Sequence, residues 1–149
     1  HRDLHSFPTR RSSDLTEGGC HLDAGTVGRA ARGLPLDQAD VLAIENVGNL
    51  VCPAEFDLGE TLKVVILSSP EGDDKPAKYP LIFSEAGAVV FSKFDLLSAV
   101  NFDRQKARAD VRRINPDAPI FELSALSGNG MDAWTDWLTV RAAEARSGG

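Results

Sequence analysis

The chain has 149 residues, 42% of them hydrophobic and 26% charged, which is enough for one globular domain with a real core. A net charge of −6 and a pI of about 5 exclude a general affinity for nucleic acid or an anionic membrane. No apolar run nears the roughly 18 residues of a membrane span, and two cysteines cannot build a disulfide framework.

Residues 1–15 are polar and aperiodic and lack the apolar centre of a signal peptide. They resemble read-through of sequencing-adaptor DNA and are set apart as a non-native leader. The expected layout is that leader, a partial globular domain over 16–145 and a flexible tail over 146–149.

Gly18-Gly19-Cys20-His21 is a glycine-relaxed loop. Neighbouring side chains on a strand point to opposite faces, so Cys20 and His21 share one metal only where the backbone is irregular. Apolar or small residues recur at helical spacing from Leu22 to Leu34, with Asp23 as a first-turn cap and Gly33 and Pro35 as stops. Val41 to Ile44 is an apolar run that reads as a short buried strand. Leu62 to Ser68, Ala88 to Phe91 and Pro119 to Leu123 read the same way. Lys75 to Ala86 predicts a helix that Pro80 kinks or restarts. Asp103 to Ile114 predicts a basic-faced helix stopped by Asn115-Pro116. Gly130 to Glu144 predicts a last helix with Met131, Trp134, Trp137, Leu138 and Val140 as its apolar stripe. Strands alternating with helices imply an α/β fold: a parallel sheet with helices on both faces.

Three short motifs follow the strand-like runs. Glu45 closes the first run and Gly48 comes three residues later. A carboxylate there can face a phosphate-bound Mg²⁺, and a glycine lets backbone approach a terminal phosphate, so both are candidates for the catalytic region. Ser92-Lys93-Phe94-Asp95 follows the third run. Ligands of parallel α/β sheets sit beyond the strands' carboxyl ends, where an aspartate can accept from guanine N1–H and the exocyclic amine. The competing role for Asp95 is a helix cap. Ser124-Ala125 follows the fourth run, with Gly128 and Gly130 beyond, and can aim backbone N–H groups at a base carbonyl or simply turn the chain. Their order is that of the guanine-nucleotide elements of a P-loop GTPase. No G-x-x-x-x-G-K-[ST] phosphate loop occurs in the 149 residues. The expectation is therefore a P-loop fold lacking its first strand and phosphate loop.

Cys20, His21 and Cys52 are the available soft ligands outside the leader. Three N or S donors suit zinc or nickel, with a fourth position for water or a second subunit. The competing reading is two buried thiols and a surface imidazole.

Together these stretches resemble the nickel-inserting GTPases of hydrogenase maturation, the HypB family. The segments that carry the likeness are Gly19–Ala24, Glu45–Ala54, Glu71–Pro80 and Gly130–Trp134, and the likeness spans about residues 16 to 141. The resemblance implies a SIMIBI-type GTPase domain that hydrolyses GTP to switch metal binding and dimerisation. It implies GTP, Mg²⁺ and Ni²⁺ or Zn²⁺ as cofactors. By motif, Cys20, His21 and Cys52 would hold the metal, and Glu45 and Gly48 would serve the Mg²⁺ and γ-phosphate region. Lys93 and Asp95 would read guanine, with Ser124 and Ala125 at its carbonyl edge. Lys75 and Lys78 are candidates for nucleotide or cross-subunit contacts. The implied partners are a second copy, a nickel-loading accessory protein and the [NiFe]-hydrogenase large-subunit precursor, with a cytoplasmic location and no nucleic acid or membrane. Ser92 stands where that family usually has Asn, which removes an amide beside the base. Without a phosphate loop the 149 residues are expected to be inactive in hydrolysis. The alternative is a non-enzymatic zinc- or nickel-binding storage or dimerisation module with a degenerate nucleotide site.

Overall fold

Val-Val-Ile-Leu-Ser and Ala-Val-Val-Phe-Ser, each a run of four apolar residues closed by a serine, form the first two strands of a parallel sheet. The computed structural model describes residues 21–147, in two compact units that divide after Leu58.

The first unit carries two short helices, α1 (Ala24–Ala31) and α2 (Cys52–Glu55), and a 3-10 turn at Leu36–Gln38. Asp23 caps α1, its carboxylate accepting from the Thr26 backbone N–H at 2.8 Å and from the Thr26 hydroxyl at 2.7 Å. These bonds, the hydroxyl's first, hold its carboxyl below the usual range. Leu22 is buried, as are Pro53 and Ala54 of α2.

The expected strand at 41–44 is not formed. Val41 and Leu42 are 39% and 43% exposed, and the described residues of this unit form no sheet. An apolar run is a strand only when a neighbouring strand takes its ladder hydrogen bonds. The run had the composition of a strand without a partner to pair with among the described residues.

The second unit holds a three-stranded parallel sheet, β1 (Val64–Ser68), β2 (Ala88–Ser92) and β3 (Ile120–Glu122), in that spatial order. Val64 to Ser68 pair in register with Ala88 to Ser92, and Val89 to Phe91 pair with Ile120 to Glu122. The predicted helix over 75–86 is split at Tyr79-Pro80 into α3 (Lys75–Lys78) and α4 (Pro80–Ser84), because a proline cannot donate to the turn before it. Then come α5 (Arg104–Ile114), capped by Asp103, and α6 (Met131–Ser147).

Helices cover both faces, as expected. Alternation along β3 puts Phe121 and Glu122 on opposite sides. Phe121 packs edge-on against Trp134 and beside Trp137 of α6, with ring centroids 5.3 and 5.4 Å away. Glu122 accepts from Arg108 of α5 at 2.9 Å. The core is β2, buried from Ala88 to Phe91, together with Leu67, Phe83, Ala107 and Val111. Ile66, at the middle of β1, is 60% exposed.

Asn115 ends α5 and knots it to its neighbours. Its side-chain amide N–H₂ lies 3.0, 3.2 and 2.9 Å from the carbonyls of Phe83, Ser84 and Ala86. Its carbonyl accepts from the Ala118 N–H at 3.1 Å. Among the described residues no helix is long and apolar enough to cross a membrane.

Candidate functional site

A parallel sheet aligns the carboxyl ends of its strands, so whatever follows β1, β2 and β3 collects along one edge. Ser69, Lys93 to Asp95 and Ser124-Ala125 all leave the sheet there.

After β2 the chain makes a 3-10 turn over Phe94–Leu96. Lys93, just before it, sits in the left-handed region at φ 57° and ψ 40°, the one non-glycine residue to do so among those described. No side chain caps this turn. The capping role weighed for Asp95 is therefore not the one it plays. Its carboxylate accepts instead from the hydroxyl of Ser124, which is 1% exposed. Lys93 and Asp95 are exposed, and Ser92 is half-buried.

The Ser124 loop closes on itself. Its backbone N–H donates to the Asn129 carbonyl at 2.9 Å, and its carbonyl accepts from the Gly128 N–H at 2.9 Å. Its hydroxyl oxygen also accepts from the Ser127 N–H at 3.2 Å. Ala125 stands exposed at the start of the loop. Gly130, at φ 75°, brings the chain back against β3, and a Cβ there would sit on the Glu122 carbonyl oxygen. That position admits only glycine.

The β1 end is built by a capping box. The Ser68 N–H donates to the Glu71 carboxylate at 3.4 Å. Gly72 then turns at φ 99° into Asp73-Asp74. Asp73 accepts from Lys106 Nζ at 2.6 Å and from the Asp103 N–H at 2.8 Å. These bonds, the lysine's first, hold the Asp73 carboxyl below its ordinary range, and the same contact raises the Lys106 ammonium. Lys78 pairs with Asp74 at 2.6 Å, and Lys75 lies 5.8 Å from the centre of the Tyr79 ring. Both predicted lysines are thus engaged on α3.

In the first unit, Glu45 and Gly48 are exposed. The two asparagines between and beyond them organise the stretch. Asn46 accepts from the Leu22 N–H at 3.1 Å and the Val47 N–H at 2.8 Å, and Asn49 accepts from the Val51 N–H at 3.0 Å and the Cys52 N–H at 2.9 Å. Asn46 thus ties the segment beginning at His21 to the segment carrying Glu45. The His21 ring stacks on Phe56, four residues beyond Cys52, at 3.7 Å and 6°. Cys52 is half-buried at the start of α2. Cys20 lies outside the described residues. Among the described residues no three His, Cys, Asp or Glu side chains gather into a metal-holding cluster.

Residues 9–122 match the family described as the CobW/HypB/UreG nucleotide-binding domain. The chain belongs to that family. The match begins inside the segment set apart as a leader. The chain is 54% identical over 126 residues to the hydrogenase maturation factor HypB of Escherichia coli K12, an alignment covering 85% of this chain and 43% of that protein. It is 45% identical over 127 residues to the probable HypB of Methanocaldococcus jannaschii, covering 85% and 58%. The crystal structure of HypB from Archaeoglobus fulgidus superposes with a TM-score of 0.77 at 44% identity, over 83% of this chain and 65% of that one. HypB from Helicobacter pylori in complex with nickel gives 0.83 at 39% identity, over 88% and 63%. The chain therefore spans about half the length of the curated relatives it matches. These neighbours carry the P-loop GTPase fold expected from the sequence. The Ser124–Asp95 link and the Asn46 and Asn49 turns are features that sequence reading missed. Serine in a strand-end turn and asparagine in a loop are too common to signal either.

Proposed function

We propose that the protein is a GTP-dependent nickel-handling factor of hydrogenase maturation, and that this chain is part of its nucleotide-binding domain. The observation that carries the reading is the pair of motifs at the sheet edge. Asp95 presents a carboxylate from the β2 end, braced by the Ser124 hydroxyl at the β3 end. A braced carboxylate fits the two N–H donors of guanine and mismatches adenine, which offers an acceptor in place of the ring N–H. Lys93 would lie along the base and Ala125 would meet its carbonyl edge.

Hydrolysis belongs to the whole protein in this reading. Glu45 would serve Mg²⁺ and Gly48 the terminal phosphate, and a phosphate loop would come from a segment outside these 149 residues. Cys20, His21 and Cys52 suit Ni²⁺ or Zn²⁺ by donor chemistry, with the fourth position open to a second copy. The HypB of Helicobacter pylori, solved with nickel, supports nickel as cargo. Cys52 is four residues from Gly48, within roughly 14 Å along an extended chain. The nucleotide state would therefore set how firmly the metal is held. The implied partners are a second copy, a nickel-loading accessory protein and the hydrogenase precursor, in the cytoplasm.

The deciding experiment titrates the full-length protein with GDP and ADP, then with Ni²⁺ in the presence of GDP or a non-hydrolysable GTP analogue. Preference for GDP, and a metal affinity that differs between the two nucleotide states, is the expected result. Equal affinity for GDP and ADP overturns the guanine reading. Equal metal affinity in both states overturns the coupling.

A further inference from the structure

We propose that Ser69 is a positioning residue for the guanine-reading turn, a role that rests on the nucleotide reading above. Ser69 follows β1 directly and is 1% exposed. Its hydroxyl donates to the Lys93 carbonyl at 2.8 Å, across 24 positions of sequence.

The carbonyl it holds belongs to the one described non-glycine residue with a positive φ. Left-handed backbone crowds Cβ against the carbonyl, so an L-residue stays there only when its surroundings hold it. The same carbonyl accepts from the Leu96 N–H at 2.9 Å, closing the turn. The next amide, Phe94 N–H, donates to the Leu123 carbonyl at 3.2 Å. The Lys93 carbonyl and the Phe94 N–H are two ends of one rigid peptide plane. That plane is gripped by Ser69 from the β1 side and by Leu123 from the β3 side. The Leu123 contact is backbone and comes with the sheet. The Ser69 contact is a side chain and is the part that sequence can change.

Asp95 lies two residues past that plane, with its carboxylate fixed by Ser124. Losing the grip at Lys93 lets the peptide rotate and carries the Asp95 backbone with it. Guanine recognition needs the carboxylate within about 2.7–3.2 Å of two donors at once, so a small displacement weakens it. Ser69 reaches no base itself and acts through Lys93.

The test uses the full-length protein and four variants: Ser69→Ala, Ser69→Cys, Lys93→Gly and the Ser69→Ala/Lys93→Gly double. GDP and ADP affinities come from displacement of a fluorescent nucleotide, and thermal unfolding checks the fold. Ser69→Cys is nearly isosteric with a poor donor, and it serves if Ser69→Ala does not fold. The expected result is a GDP-over-ADP ratio lowered about 3- to 10-fold by either Ser69 variant, with ADP affinity unchanged. Glycine takes the left-handed conformation without help, so Ser69→Ala should lower the ratio far less in the Lys93→Gly background. The Lys93 ¹³Cα chemical shift, which follows φ and ψ, should also move in Ser69→Ala. A folded Ser69 variant with the wild-type ratio overturns the role while leaving the guanine reading intact. An equal loss in both Lys93 backgrounds also overturns it. A wild type that binds GDP and ADP equally sinks the guanine reading first, and the role with it.

Discussion

The Ser124 hydroxyl donates to the Asp95 carboxylate across the ends of two neighbouring strands. One lone pair of one oxygen is thereby taken, both oxygens keep acceptor capacity, and the carboxylate is fixed before any ligand arrives. A braced acceptor binds better than one that must be ordered on binding. Asp95→Asn puts a donor where guanine needs an acceptor. It should weaken GDP binding by about 1–3 kcal/mol, roughly 5- to 150-fold, with little effect on ADP. Competition titration of the full-length protein checks this. A GDP affinity unchanged by the substitution would remove Asp95 from the site.

Gly128 and Gly130 share a positive φ but differ in their surroundings, which makes a stability test. Gly128 and Gly130 both have positive φ, but only at Gly130 would a Cβ meet backbone, the Glu122 carbonyl. Gly128→Ala should cost about 1–2 kcal/mol, the left-handed penalty alone. Gly130→Ala adds a clash with the β3 backbone and should cost about 2–4 kcal/mol. The melting temperature should fall on the order of 10 °C for the second and visibly less for the first. Equal losses would mean that the approach to β3 relaxes at no cost.

The Asp73–Lys106 contact predicts a pH dependence. Asp73 titrates below its unfolded value because Lys106 and the Asp103 N–H donate to it. Its contribution is therefore fully present above about pH 4 and is lost as pH falls through the depressed folded value. Lys106 is raised, so its contribution is present below about pH 10.4 and is lost as pH rises through the folded value. Asp73→Asn should lower the urea midpoint at neutral pH and flatten the acid limb below pH 4. Urea unfolding at pH 3, 4, 5 and 7 measures both. A variant whose acid limb parallels the wild type would show that other carboxylates set it.

The second unit was legible because its strands are short apolar runs closed by polar turns, and because Pro80 and the Asn115-Pro116 stop act on their own helices. Proline splits a helix and a capping aspartate starts one wherever they fall. The Val41–Ile44 run was misread because pairing is not local, and composition carries no information about a partner strand. The site was legible only as a list. Lys93, Asp95, Ser124 and Ala125 could be named from motif order, but the bond joining Asp95 to Ser124 depends on the register of β2 against β3. Ser69 gave no signal, since nothing in Ser-Ser-Pro separates a buried donor from an exposed turn serine.

Metal binding tests the first unit. Cys52→Ala should weaken Ni²⁺ or Zn²⁺ binding by more than the roughly 10- to 100-fold that losing a supporting hydrogen bond costs, because in the proposed site it removes a ligand. His21→Ala should act in the same direction and also remove the stack on Phe56. Affinity should fall as pH drops, since a thiolate and a neutral imidazole are required. Isothermal titration from pH 6 to 8 is the measurement. Wild-type affinity in both variants would place the metal elsewhere.

Asn115 has a kinetic consequence. From the end of α5, where its backbone N–H donates to the Val111 carbonyl, its side chain holds the carbonyls that end α4 and the approach to β3. Freeing any one of these segments breaks the bonds that restrain the others, so they open together or hardly at all. In native-state hydrogen exchange the amides around 83–90 and 111–120 should then share one opening free energy and respond to denaturant with one slope, as a single cooperative unit. Asn115→Ala would divide that unit, letting the α4 end exchange by local fraying while β2 keeps its protection.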